Sequence, residues 1–136
     1  MPVYQTNEIY LREAIESVLG QTYSNFEFLI VNDSPNDNSR LGHIAASYND
    51  NRIVWLQNRV NSGIAIASNI GIDHAQGSFV AMMDHDDICI PTRLEQQLRF
   101  LIDNPDFGFV GGQAEAFYPD GSNVSLDYPV SSTKEE

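Results

Sequence analysis

Basic residues are scarce in this chain, and cysteine is scarcer still. There is one lysine, Lys134, and one cysteine, Cys89, in 136 residues. A lone cysteine excludes an intrachain disulfide and a cysteine metal cluster. Lys and Arg together number 7 against 19 Asp and Glu, for a net charge of −12. Such a field repels nucleic acid and anionic membrane surfaces, so no nucleic-acid partner is expected. It would also repel a phosphate-bearing ligand unless a cation bridged the two. No apolar run approaches the roughly 20 residues of a membrane span. The first residues lack the basic and apolar regions of a signal peptide, which points to a cytoplasmic location. In a longer protein that location could be the cytoplasmic face of a membrane. Neither an internal repeat nor a low-complexity segment is visible, and no glycine-rich basic phosphate loop opens the chain, which disfavours a nucleotidyltransferase.

Hydrophobic residues make up 42% of the sequence, an ordinary share for a globular chain of this length. Helical spacing of Leu11, Ala14, Ile15, Val18 and Leu19 predicts a helix over 7–19, with Asn7 or Thr6 as cap and Gly20 at its end. Apolar runs at 27–31, 53–56 and 79–83 read as buried strands, and 39–48, 64–75 and 91–104 as helices. A further strand is expected at 113–118, then a turn at Pro119-Asp120-Gly121. From Ser122 the chain turns polar, a tail covering 122–136. Strands alternating with helices mean an α/β fold: three layers, α/β/α, around a mostly parallel sheet, in one domain over 1–136.

The stretch with the most chemistry is Phe79-Val80-Ala81-Met82-Met83-Asp84-His85-Asp86-Asp87. Five apolar residues run into three carboxylates. If the run is a buried parallel strand, the acids sit at its C-terminal end, where open α/β sheets bind ligands. Asp33 ends another such strand and falls on the same edge. Oxygen donors of this kind suit Mg²⁺ or Mn²⁺, which take their remaining ligands from phosphates and water. The plainer reading is that Asp86 or Asp87 caps the helix that Pro91 begins. Capping needs one carboxylate, however, and the mutual repulsion of three favours a cation. His85, alone between them, reads as a loop residue as readily as a ligand, and Trp55 as packing.

Taken in order, these segments resemble family 2 glycosyltransferases of the GT-A fold. The resemblance is carried by Pro2-Val3-Tyr4, by Tyr10 to Tyr23, and by Phe26-Glu27 with the strand ending Asn32-Asp33-Ser34. It continues through Asn61-Ser62-Gly63 to Ala67-Ser68-Asn69-Ile70-Gly71 and through Met83 to Ile88 with Pro91 and Arg93-Leu94. It implies a site for a nucleotide-diphosphosugar, most often UDP-linked, with a divalent metal, and inverting transfer to a saccharide or lipid-linked acceptor. By the resemblance, Pro2, Val3 and Tyr4 form the loop after the first strand, against the nucleobase. Asp33 accepts the uracil N3–H; a plain Asx turn is its other reading. Asn61, Gly63, Asn69 and His85 belong to the nucleotide-sugar site. Asp84 lies near ribose and metal, and Asp86 is the main metal ligand.

The sequence departs from the family pattern in three ways. Asn32 stands where the first acid of a pair is usual. Ser68 stands where relatives commonly have Arg, with Arg59 the nearest substitute. The chain also reads as cut at both ends, with its first strand expected before Pro2 and its general base expected downstream of Glu136. Such a fragment would transfer sugar weakly or not at all. Its open sheet edges invite a homodimer, an exchanged segment or marginal stability. A non-catalytic nucleotide- or partner-binding module is the alternative function. A receiver-like phosphoacceptor domain would also gather acids at strand ends, but it needs a lysine at a later strand end, and Lys134 lies in the tail.

Overall fold

A computed structural model describes residues 1–118, 120 and 122–126; Pro119 and Gly121 of the expected turn, and residues 127–136 of the expected tail, lie outside it. The chain divides into two compact units, Met1–Arg99 and the residues from Phe100 onward.

The first unit is built on a parallel sheet of order β1-β2-β3, with β1 at Pro2–Val3, β2 at Phe28–Asn32 and β3 at Ile53–Gln57. Pro2 registers with Val31 and Val3 with Asn32, and Phe28 to Asn32 register with Ile53 to Gln57. Helix α1 (Glu8–Leu19) connects β1 to β2, and α2 (Asn38–Ala46) connects β2 to β3 after a short 3₁₀ turn at Pro35–Asp37. Helix α3 (Ile64–His74) follows β3, and α4 (Arg93–Asp103) begins in this unit.

Side-chain alternation along β2 explains the layers. Phe28 and Ile30 point into a core with Leu11, Ala14, Ile15 and Val18 of α1 and Leu41, Ile44 and Ala45 of α2. Val31, one residue out of phase, faces the other way and meets α3, where a Cβ on Gly71 would stand 3.3 Å from Val31 Cγ2. Helices therefore cover both faces, as the sequence predicts. Asn7 caps α1 as expected, its Oδ1 accepting from Ile9 N at 2.8 Å. Gly20 ends α1 at φ −81°, so it is not the left-handed cap that a glycine there suggests. Leu11 and Ile15 are fully buried at the centre of the core. Leu11→Ala is expected to cost about 3 kcal/mol through lost burial and the cavity left behind, read from urea unfolding midpoints.

Two expectations need correction. Pro2 and Val3, expected as the loop after the first strand, are themselves in strand and form β1. The run 79–83 is not a strand. It has no regular structure, and Phe79, Val80 and Met82 are about half exposed. A strand exists only where a neighbour completes its ladder. Strand β1 is just two residues long and pairs with β2, so its other edge provides almost no ladder for a fourth strand. Of the run, only Met83 joins the buried core.

In the second unit the Phe100 and Phe107 rings meet edge to face, centroids 5.5 Å apart. Strands β4 (Ala114–Phe117) and β5 (Asn123–Leu126) form an antiparallel hairpin with Ala114 opposite Leu126. The expected strand at 113–118 is thus present. Asp120 shapes the turn by accepting from Ser122 N at 2.9 Å.

Candidate functional site

At the C-terminal edge of the parallel sheet lies a cavity of about 430 Å³. Its walls are Pro2, Val3, Tyr4, Asp33, Asn61, Gly63, Ile64, Ala67, Asp84, His85 and Asp86. Of the residues nominated from sequence, only Asn69 is outside this lining; it sits exposed on α3. Arg59 is exposed too and does not replace the missing arginine in the cavity wall. Ile64 and Ala67 were missed. Their signal was the helical period counted from Gly63, which places both on one face of the first turn of α3.

Asp33 follows β2 and is buried, with 2% of its surface exposed. Four donors converge on its carboxylate. Asn58 Nδ2 donates at 2.7 Å, Ser62 Oγ at 2.7 Å, Ser62 N at 3.0 Å and Gly63 N at 2.7 Å. Burial alone would raise the pKa of this carboxyl, but the donors from Asn58, Ser62 and Gly63 outweigh it and hold the group below its ordinary value. Asp33 therefore clamps the loop from Asn58 to Gly63 against β2. Gly63 stands at φ 82°, a left-handed conformation that favours glycine at the start of α3. The Asx turn belongs to Asn32 instead, whose Oδ1 accepts from Ser34 N at 2.9 Å. Its Nδ2 donates to Gln57 Oε1 at 2.8 Å, so this buried amide uses both its ends. A carboxylate at position 32 would have no proton for that second bond.

The acid loop closes the other side of the cavity. Its aspartates do not cap α4: the amide of Leu94 is held by Gln21 Oε1 at 3.0 Å. Burial and then the charges of Asp84 and Asp86 push the Asp87 carboxyl above its ordinary value, against the pull of Arg93 and His85. His85 Nδ1 has no hydrogen-bond partner and stands 3.8 Å from Asp86 Oδ1. Crowded, repelling hard oxygens beside an unsatisfied polar atom fit a cation. Among the described residues no group of three or more His, Cys, Asp or Glu is arranged to enclose a metal. Carboxylate oxygens are hard donors, of the kind that share a cation with water and phosphate oxygens.

Acids at one edge of a parallel α/β sheet, around a cavity large enough for a small molecule, are the arrangement in which α/β domains commonly bind ligands. Comparison with known proteins takes the assignment further. The sequence profile described as Glycosyl transferase family 2 matches residues 1–132, and the chain belongs to this family. It is 39% identical over 108 residues to an uncharacterised glycosyltransferase of Methanocaldococcus jannaschii, covering 78% of this chain and 37% of that protein. It is 36% identical over 102 residues to the putative glycosyltransferase EpsE of Bacillus subtilis, covering 74% of this chain and 37% of that protein. Over 115 residues it is 37% identical to WfgD of Escherichia coli, the UDP-Glc:alpha-D-GlcNAc-diphosphoundecaprenol beta-1,3-glucosyltransferase, covering 85% of this chain and 44% of that protein. The chain thus spans less than half the length of these relatives. The parallel α/β architecture is consistent with the GT-A fold of the family. Among the described residues no helix is long and apolar enough to cross a membrane.

Proposed function

We propose that this chain is the donor-binding part of a glycosyltransferase, holding a nucleotide-diphosphosugar with Mg²⁺ or Mn²⁺ for inverting transfer to a saccharide or lipid-linked acceptor. One observation carries the reading. Pro2 to Tyr4, Asp33, Asn61, Gly63 and the acids Asp84 and Asp86 come from four separate stretches of sequence, yet all line a single cavity. Its volume suits a small ligand. The UDP-Glc in the name of WfgD supports a UDP-linked donor.

In this reading the nucleobase rests against Val3 and Tyr4. The loop that Asp33 clamps places Asn61 and the Gly63 backbone along the nucleoside. Asp84 and Asp86 hold the cation, which when bound offsets charge on the leaving diphosphate. Their carboxylates also let a strongly acidic chain accept a diphosphate at all, because without a cation between them the like charges repel. The acceptor hydroxyl must be deprotonated and aligned on the anomeric carbon. We assign no general base among the cavity residues.

Calorimetric titration of UDP, with and without Mn²⁺, tests the proposal. Binding in the micromolar range with the metal, and none with EDTA, is the expected result. Failure of UDP, GDP, CDP and dTDP alike to bind in the presence of Mn²⁺ would overturn it.

A further inference from the structure

We propose that Gln21 is a positioning residue for the acid loop, acting as a latch that ties the segment behind Asp84–Asp87 to the end of α1. The role rests on the reading of Asp84 and Asp86 as the cation-side residues of the donor site.

Gln21 lies just past α1 and is only 6% exposed. A glutamine is rarely buried unless its amide is fully used. Here Nε2 donates to Ile90 O at 2.8 Å and to Ser17 O at 3.0 Å, while Oε1 accepts from Leu94 N at 3.0 Å. One side chain thus joins α1, the stretch beyond the acid loop and the first turn of α4. The neighbouring backbone reinforces it, with Thr22 N donating to Pro91 O at 2.8 Å.

A second tether closes the loop from the opposite side. Arg93 donates to Met82 O at 2.8 Å and to Cys89 Sγ at 3.1 Å. Met83 and Cys89, on either side of the acids, are both buried and bring their sulfurs to 3.2 Å. The loop from Asp84 to Ile88 therefore has a fixed neck and a free tip, and the tip carries Asp84, His85 and Asp86 into the cavity. No helix or strand holds its backbone. Where the carboxylates stand is thus set by the tethers at the neck. Ligand geometry is demanding enough that a shift of about 1 Å degrades such a site.

Gln21→Met keeps the length of the side chain and removes all of its hydrogen bonds. The expected result is about tenfold faster amide exchange at residues 84–88, with β2 amides unchanged. The Mn²⁺ concentration that half-saturates UDP binding should rise about tenfold. Uridine, which lacks the diphosphate, should bind as to the wild type. General loss of structure would move β2 exchange and uridine binding as well. Arg93→Met cuts the neck from its other side and should give the same pattern, which keeps the test sharp if Gln21→Met fails to fold. Wild-type exchange at 84–88 in either folded variant would overturn the latch. Faster loop exchange with an unchanged Mn²⁺ requirement would overturn the positioning role. If the wild type shows no metal-dependent UDP binding, the donor reading itself fails, and loop exchange alone decides whether Gln21 holds the loop.

Discussion

Asp86→Asn is expected to weaken Mn²⁺-dependent UDP binding about 100-fold, while the metal-free protein melts no lower than the wild type. The magnitude follows from metal-site behaviour: outer-shell partners cost roughly 10- to 100-fold when removed, and a direct ligand costs at least as much. The sign of the second effect comes from charge. Asp84 and Asp86 both act against ionisation of Asp87, with Arg93 and His85 pulling the other way. Removing one carboxylate relieves that repulsion when no cation is present and removes a ligand when one is. Asp86 is exposed, so the substitution leaves no cavity in the core. Calorimetry with Mn²⁺, paired with thermal melts in EDTA, checks both halves. A variant that keeps its metal requirement would show that Asp86 is not the ligand. A variant that melts lower in EDTA would show that it supports the loop structurally.

Asp33→Ala is expected to destabilise the first unit by about 3 kcal/mol and to abolish UDP binding. The loss is large because the donors survive when the acceptor is gone. Asn58 Nδ2, Ser62 N, Ser62 Oγ and Gly63 N would all face a site without a carboxylate. The amide of Gly63 would keep only its longer contact to Asn61 Oδ1, at 3.1 Å. The loop would then leave β2 and take Asn61 out of the cavity wall. The same clamp predicts an acid limit. The Asp33 carboxyl lies below its ordinary value of 3.8 in the folded chain. Its stabilisation is therefore fully present above that value and is lost as pH falls through the lower, folded one. Urea unfolding between pH 3 and pH 7 should show wild type and Asp33→Ala converging as pH drops, and parallel curves would deny Asp33 this role.

Much of this architecture can be read in the chain without coordinates. The helical spacing of Leu11, Ile15 and Val18, with Asn7 ahead of them, is local chemistry, and α1 forms where it predicts. The apolar runs at 27–31 and 53–56 become β2 and β3 because each finds a parallel neighbour in register. The run at 79–83 has the same composition and is not a strand, because hydrophobicity says that a segment wants burial but not whether a ladder awaits it. The placement of the acids survived that error. Asp84 and Asp86 reach the cavity with Asp33 through the neck at Met83 and Cys89 rather than through a strand end.

Residue types and their order determined the family and the acid-rich character of the cavity wall, since these depend on functional groups and on short-range spacing. Tertiary structure decided the roles of individual side chains. Asp33 is committed to Ser62 and Gly63, 29 and 30 residues away, and Gln21 to Ile90 and Leu94, 69 and 73 residues away. Hydrogen bonds between groups so far apart in sequence exist only after the chain has folded, and no local pattern at either end records them.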